Sequence, residues 1–240
     1  EYITKRVNCK LIIGPLSKPG MIDKEQIPIA KYYPDYTIID CEKWNYFPKD
    51  SYFCRVTTGC IRQCKFCAVP KLEPEFSYYQ KLHSQIEIID KTFGKRQNLV
   101  LLDNNILACS DIKNIIKEIS ELGYHSGAKR NGKNCIVDFN QGLDARLIDK
   151  SIAHLLSSIC LSPVRFAFDY SQMKYAYVEA IKIMKEVGFG EFTNYVMYNF
   201  NDDPHDFYNR IRLNAVLSDK LNIRITGFPM RYRPIYSTLR

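Results

Sequence analysis

The run Tyr52-Phe53-Cys54-Arg55-Val56-Thr57 passes directly into Thr58-Gly59-Cys60-Ile61-Arg62-Gln63-Cys64-Lys65-Phe66-Cys67, and the fold is read outward from this join. The first piece is β-rich and apolar, which predicts a strand. The second places three cysteines at C-x3-C-x2-C spacing, close enough for three thiols to converge on one metal centre. Iron–sulfur clusters are normally held by cysteine thiolates, and a cubane given only three of them keeps one iron open to an outside ligand. A structural zinc site needs a second ligand pair, and no C-x2-C or H-x3-H partner follows downstream. A ferredoxin-like electron carrier calls for a fourth cysteine three residues past the third, where Pro70 stands.

Beyond the cysteine loop, β-rich runs alternate with stretches of helical period, the mark of βα units and a parallel sheet. Strands are predicted at Tyr52–Thr57, Leu99–Leu102, Cys135–Phe139, Val164–Phe168, Phe192–Tyr198 and Ile223–Thr226. The first helix starts near Lys81, with Leu82, Ile86, Ile89 and Phe93 on one face and Gly94 as its C-terminal cap. Ser110 is the expected N-cap of the second, whose face is Ile112, Ile115, Ile116, Ile119 and Leu122. Ile148, Ile152, Leu155, Leu156 and Ile159 mark a third; Ala176, Ala180, Ile183 and Val187 a fourth. A fifth is capped by Asp202 or Asp203 ahead of Pro204, with Phe207, Ile211 and Ala215 facing inward. Residues 1–50 carry many breakers, including Gly14-Pro15, Pro19-Gly20, Pro28, Pro34 and Pro48, and read as an irregular strand-and-turn lead-in to the domain over 51–240.

The motif, with aromatic Phe66 before its last cysteine, resembles the signature of the radical SAM superfamily. That resemblance implies an α/β fold, a partial (βα)6 TIM-type barrel, with a [4Fe-4S] cluster on Cys60, Cys64 and Cys67 and S-adenosylmethionine on the open iron. It further implies reductive cleavage of the cofactor to a 5′-deoxyadenosyl radical that abstracts hydrogen from a substrate, with the electron coming from a donor such as flavodoxin or ferredoxin. Parallel βα folds bind ligands at the carboxyl ends of their strands. The cofactor is therefore expected among Phe66, Asp103, Asn104, Asn105, Arg146, Asp169 and Asn199. Within the family, Phe66 stands at the position that packs near the adenine, and Asp103-Asn104-Asn105 at that of the methionyl amine, where Gly-Glu is more usual. The motif neighbourhood Gly59–Pro70 looks most like the methylthiotransferase and cobalamin-dependent branches, which makes a tRNA-modifying enzyme an alternative. An electron carrier and a zinc-binding module are the other two.

The charge of +8 permits a polyanionic partner, and Arg231-Tyr232-Arg233 would suit a phosphate-bearing or nucleic-acid substrate. Nine unevenly spaced cysteines do not make a disulfide scaffold and point to a reducing, cytoplasmic setting. No apolar run reaches the ~20 residues that cross a bilayer. Cys54, Cys109, Cys135 and Cys160 read as structural thiols, Cys9 and Cys41 as candidates for a second cluster or a radical donor, and Lys129–Lys133 as a solvated basic loop on the opposite pole. Gly14–Gly20 lacks the order of a phosphate loop and reads as a turn. With no Met at the start and no helix stop at Ser237–Arg240, the chain reads as a fragment of a longer protein.

Overall fold

The structure, a computed structural model, describes residues 33–37 and 47–234. Leu11–Ile13, Gly14–Gly20, Cys9 and Cys41 lie outside these residues, as does most of the lead-in. Ten strands are described: β1 (Ser51–Cys54), β2 (Thr57–Thr58), β3 (Ser77–Tyr78), β4 (Asn98–Leu101), β5 (Lys129–Arg130), β6 (Lys133–Asn134), β7 (Val137–Phe139), β8 (Val164–Ala167), β9 (Glu191–Tyr198) and β10 (Arg224–Arg231). The helices are α1 (Val69–Leu72), α2 (Leu82–Phe93), α3 (Ile112–Ile119), α4 (Lys150–Ser157), α5 (Lys174–Glu186) and α6 (Pro204–Leu221).

This is a mixed α/β fold built on two parallel three-stranded sheets, β1-β4-β7 and β8-β9-β10. Parallel bridges Val137↔Leu161 and Leu143↔Phe166 join them. Across the same seam the Arg165 guanidinium grips the buried Asp138 carboxylate with two bonds of 2.6 and 2.8 Å. The six strands thus neighbour one another in chain order, whereas a doubly wound sheet reverses its order at a switch point. The ladder does not close into a barrel: among the described residues, no pairing joins β10 to β1.

The core lies between the strands and the helices outside them, and local chemistry sets the ends of those helices. Gly94 caps α2 at φ +81°, as its place after Phe93 predicts. Asp203 accepts the amide of Asp206 at 2.7 Å with Pro204 in the first turn of α6, and Asp149 accepts that of Ile152 at 2.7 Å to start α4. Ser110 is not the cap of α3. That position belongs to Asp111, whose carboxylate bonds the Asn114 side chain instead of a helix amide. Beyond Ile119, Gly123 at φ +89° breaks the helix through a π-type turn.

Two expected faces are corrected. On α5 the fully buried stripe is Tyr177, Ala180, Ile181 and Met184; of the expected face Ala180 is in it, while Ile183 and, just past the helix, Val187 are half-buried against its edge. Its organiser is a tyrosine, whose phenol needs a polar partner when buried. Tyr177 donates to Asn214 (2.9 Å) and accepts from Asn194 (2.8 Å), and Asn214 returns a bond to Asn194 (3.0 Å). On α6 the inward residues are accordingly Arg210, Asn214 and Leu217, and Ala215 faces solvent. Arg130 in the basic hairpin is also structural, since its guanidinium donates to the Tyr124 hydroxyl and to the carbonyls of Arg96 and Leu122. Cys54, Cys109 and Cys135 are buried, and all seven described cysteines are free thiols.

Candidate functional site

Because the strands are parallel, the segments that follow β1, β4, β7, β8 and β9 gather at one pole, and every expected site residue except Phe66 and the cysteines sits at such an end. The cysteine loop is suspended there by one carboxylate. Glu73 accepts from the Gly59 amide (2.7 Å) and the Asn104 side chain (2.9 Å), and also pairs with Arg55. Gly59 sits at φ +70° so close to the neighbouring backbone that a Cβ would come within 2.1 Å of the Glu75 carbonyl oxygen. Only glycine fits this position.

The triplet after β4 divides into three jobs. Asp103, expected to bind the cofactor amine, instead accepts the amides of Val56 (3.0 Å) and Thr57 (2.5 Å) and the Thr57 hydroxyl (2.7 Å). A carboxylate engaged in this way clamps the end of β1, chiefly through Oδ1; its Oδ2 shares only the Val56 amide at 3.2 Å. Asn104 is tied to Glu73. Asn105, 4% exposed, donates to Cys60 Sγ at 3.5 Å and to Asp144 Oδ2 at 3.4 Å, and its Oδ1 is buried with no partner among the described residues.

Arg146, expected to meet a cofactor carboxylate, is held by a nearer one. It donates from Nε to Asp144 Oδ1 (2.6 Å), from Nη2 to Oδ2 (3.0 Å), and from Nη1 to the Tyr170 hydroxyl (3.2 Å). Arg62, inside the cysteine loop, reaches the same Asp144 at 2.9 Å. Burial alone would push the Asp144 carboxyl up, but the two guanidiniums outweigh it and hold it below the usual carboxylate range. Asn199 is exposed at φ +70° and donates to the Tyr232 carbonyl at 3.3 Å, so it lies at the rim.

Phe66 and Asp169 face a cavity of about 540 Å³ whose lining also includes Cys64, Tyr170, Met197 and Phe200. The Phe66 ring meets Phe200 edge-on at 5.7 Å and Tyr170 at 6.5 Å. Asp169 makes no hydrogen bond to the described residues, and burial pushes its carboxyl up to about 6 against the pull of Arg210 and Arg146. Three further carboxylates, Asp202, Asp203 and Asp206, line the outer wall against one cation, Lys65. Arg231 and Arg233 are exposed beyond this wall.

The three loop thiols are electrostatic neighbours. Burial raises Cys64 and Cys67; Arg146 draws Cys64 back, Cys60 and Cys67 push it further, and Cys60 adds to the rise at Cys67. Among the described residues no three His, Cys, Asp or Glu side chains are placed so that they could hold a single metal ion, so the three thiols would have to adjust to share a centre. The donor set nevertheless suits an iron–sulfur cluster. All three are free and partly exposed, and backbone amides already aim at two of the sulfurs, Arg62 N to Cys60 Sγ (3.3 Å) and Val69 N to Cys67 Sγ (3.4 Å). Such N–H···S bonds tune thiolate-held clusters. Raised thiol pKa values imply that metal uptake must displace protons.

No family model and no curated protein sequence matches the chain. Solved structures do match. HydG, a maturase of the [FeFe]-hydrogenase, is similar with a TM-score of 0.52 at 16% identity, over 77% of this chain and 42% of its own. Streptococcus suis SuiB, solved bound to the precursor peptide SuiA, is similar with a TM-score of 0.52 at 16% identity, over 97% of this chain and 49% of its own. This chain therefore spans less than half the length of either. The likeness is one of fold.

Proposed function

We propose that the chain is a radical SAM enzyme, with its six strands arranged as a partial (βα)6 barrel and Cys60, Cys64 and Cys67 holding a [4Fe-4S] cluster at the carboxyl pole. When bound, the cluster with S-adenosylmethionine on its open iron supplies the electron that cleaves the sulfonium, giving a 5′-deoxyadenosyl radical for hydrogen abstraction. The observation that carries this reading is three free thiols on one short loop, of which Cys64 lines a cavity, in a chain with this fold.

The chain's own residues then have separable tasks. Glu73 and Asp103 fix the loop to the ends of β1 and β4. Phe66, Tyr170 and Phe200 give the cavity aromatic edges for a planar base, and Asp169, which makes no hydrogen bond to the described residues, suits a ribose hydroxyl. Asn105 Oδ1 is the fully buried acceptor of the Asp103-Asn104-Asn105 triplet that has no partner among the described residues, and it suits a cationic amine. The resulting pocket excludes water and holds reacting atoms in near-attack geometry.

The wall of Asp202, Asp203 and Asp206 disfavours the phosphate-bearing or nucleic-acid substrate suggested by Arg231 and Arg233, because it would repel a phosphate at the cavity mouth. A peptide, the class of ligand bound by SuiB, meets no such repulsion. The electron donor is a flavodoxin- or ferredoxin-like protein and the setting a reducing, cytoplasmic one. No described helix is long and apolar enough to cross a membrane.

The test is anaerobic reconstitution with iron and sulfide, then dithionite and S-adenosylmethionine. Formation of 5′-deoxyadenosine, lost together with iron in Cys60→Ser, is the expected result. A protein that holds the cluster yet forms none is an electron carrier, and a colourless protein with one zinc is a binding module; either outcome overturns the proposal.

A further inference from the structure

The Asn105 side chain has an environment that its place in the sequence does not foretell. Its Nδ2 lies between two acceptors, Cys60 Sγ at 3.5 Å and Asp144 Oδ2 at 3.4 Å, while its Oδ1 faces no donor among the described residues. These neighbours fix the amide's orientation. A flipped amide would aim oxygen lone pairs at an ionised carboxylate and a sulfur, so the N–H groups must point toward them. Asp144 is itself locked by Arg62 and Arg146 (2.9 and 2.6 Å), so it cannot turn away and release Asn105. The whole set is buried or half-buried, which strengthens each bond relative to water.

Among the described residues Asn105 is the one side chain that donates to any of the three loop sulfurs; the other two bonds come from backbone amides. Cys60 consequently receives two donors, Cys67 the Val69 amide with the Ala68 amide also acting on it, and none is described at the Cys64 sulfur. We propose that Asn105 is a positioning residue that raises the reduction potential of the centre held by Cys60, with Asp144, Arg62 and Arg146 keeping its amide on the sulfur. The role rests on the cluster reading above. One-electron reduction adds negative charge that is shared with the thiolate sulfurs, and a donor already aimed at one of them favours the reduced form.

The experiment is an EPR-monitored redox titration of the reconstituted protein without S-adenosylmethionine, on wild type, Asn105→Leu and Asn105→Asp, with iron and sulfide content measured on each. Asn105→Leu keeps the branched shape of the side chain and removes the donor. At the wild-type midpoint its reduced-to-oxidised ratio should fall about tenfold, which is 59 mV for one electron. Asn105→Asp, which puts an acceptor against the sulfur, should fall further. A full cluster with an unchanged midpoint in both variants overturns the tuning role, as does loss of iron from both while the wild type keeps it, since the amide would then be scaffolding. A wild type that takes up no iron would instead refute the cluster reading, and the tuning role would fall with it.

Discussion

Arg210→Met tests whether the polar interior of α6 builds the site as well as the core. Arg210 is 1% exposed and its guanidinium has four acceptors: the carbonyls of Phe168 (2.9 Å) and Met197 (2.7 Å), Asp202 (2.7 Å) and Asp206 (3.0 Å). Methionine fills much of the stem's volume but satisfies none of them. Removing one partner of a buried ion pair costs about 3–5 kcal/mol, because the other is left charged and dry. Here Asp206 is 28% exposed and recovers some hydration, whereas the two carbonyls lose their shared donor. The two corrections oppose each other, so roughly 4 kcal/mol is expected. For a chain of this size that lowers Tm by about 8–16 °C.

Urea denaturation followed by far-UV circular dichroism reads the loss directly. Arg210→Lys should recover less than half of it, since an ammonium has three donors and no planar fork. The variant also has a signature in the cavity. Arg210 is the largest influence holding Asp169 down against burial, so in Arg210→Met that carboxyl should titrate above its value of about 6, visible by NMR of labelled aspartate. A loss under 1 kcal/mol, or an unmoved Asp169, would refute the view that Arg210 ties the ends of β8 and β9 to α6.

Two further outcomes follow from single positions. Gly59→Ala should cost about 1–2 kcal/mol from its left-handed backbone alone, and more from the clash with Glu75, which the short β2–β3 pairing can relieve only by opening. The check is iron uptake and proteolysis: a variant that takes up iron normally and gains no cleavage within residues 57–78 would contradict the fit. For Asp169 the folded pKa is raised, so its contribution is fully present below the unfolded value near 3.8 and is lost as pH rises through about 6. Asp169→Asn should therefore be more stable than wild type at pH 8, by at most about 3 kcal/mol for a two-unit shift, and should lose that advantage at pH 3. An equal difference at both pH values would place the effect elsewhere than in this titration, in which Arg210, Arg146, Cys64 and Cys67 are the facing charges and thiols.

What the sequence disclosed was whatever is periodic or contiguous. Leu82, Ile86 and Ile89 repeat at helical spacing and are buried on α2; the run Leu99–Leu102 is apolar enough to be a central strand, and its first three residues are in one; the three cysteines lie within eight residues of one another. The polar groups that fasten the site have no such regularity. Glu73 meets Asn104 across 31 residues, Arg62 meets Asp144 across 82, and Tyr177 meets Asn214 across 37. Only topology brings them together, so Glu73, Arg210 and the Asn194–Asn214 pair were not legible. Arg146 is different, because Asp144 stands two residues before it in a tight turn, and that proximity alone could have warned that the guanidinium was already engaged. Asp103 carries a similar lesson: a carboxylate just past a strand is as well placed to cap its neighbour's amides as to meet a ligand.

The engaged residues also explain why the cavity is polarised. Behind the thiols, outside the cavity lining itself, stand Arg62 and Arg146, which share one Asp144 and so carry one positive charge more than it offsets. Along the lining Asp202 and Asp206 share one Arg210 and Asp203 has no cationic partner within bonding distance among the described residues, which leaves that wall negative, while Asp169 sits nearer the thiols, where Arg146 also acts on it. Opposed charges in a half-buried site are only weakly screened, so they act across its whole width. A ligand with a positive and a negative end is turned one way before any specific bond forms, and a uniformly anionic one is driven off the far wall. Under the proposed reading this polarity orients a zwitterionic cofactor with its carboxylate toward the arginines. The hydrogen bonds of Asn105 and the edges of Phe66 and Tyr170 then have only its position to settle.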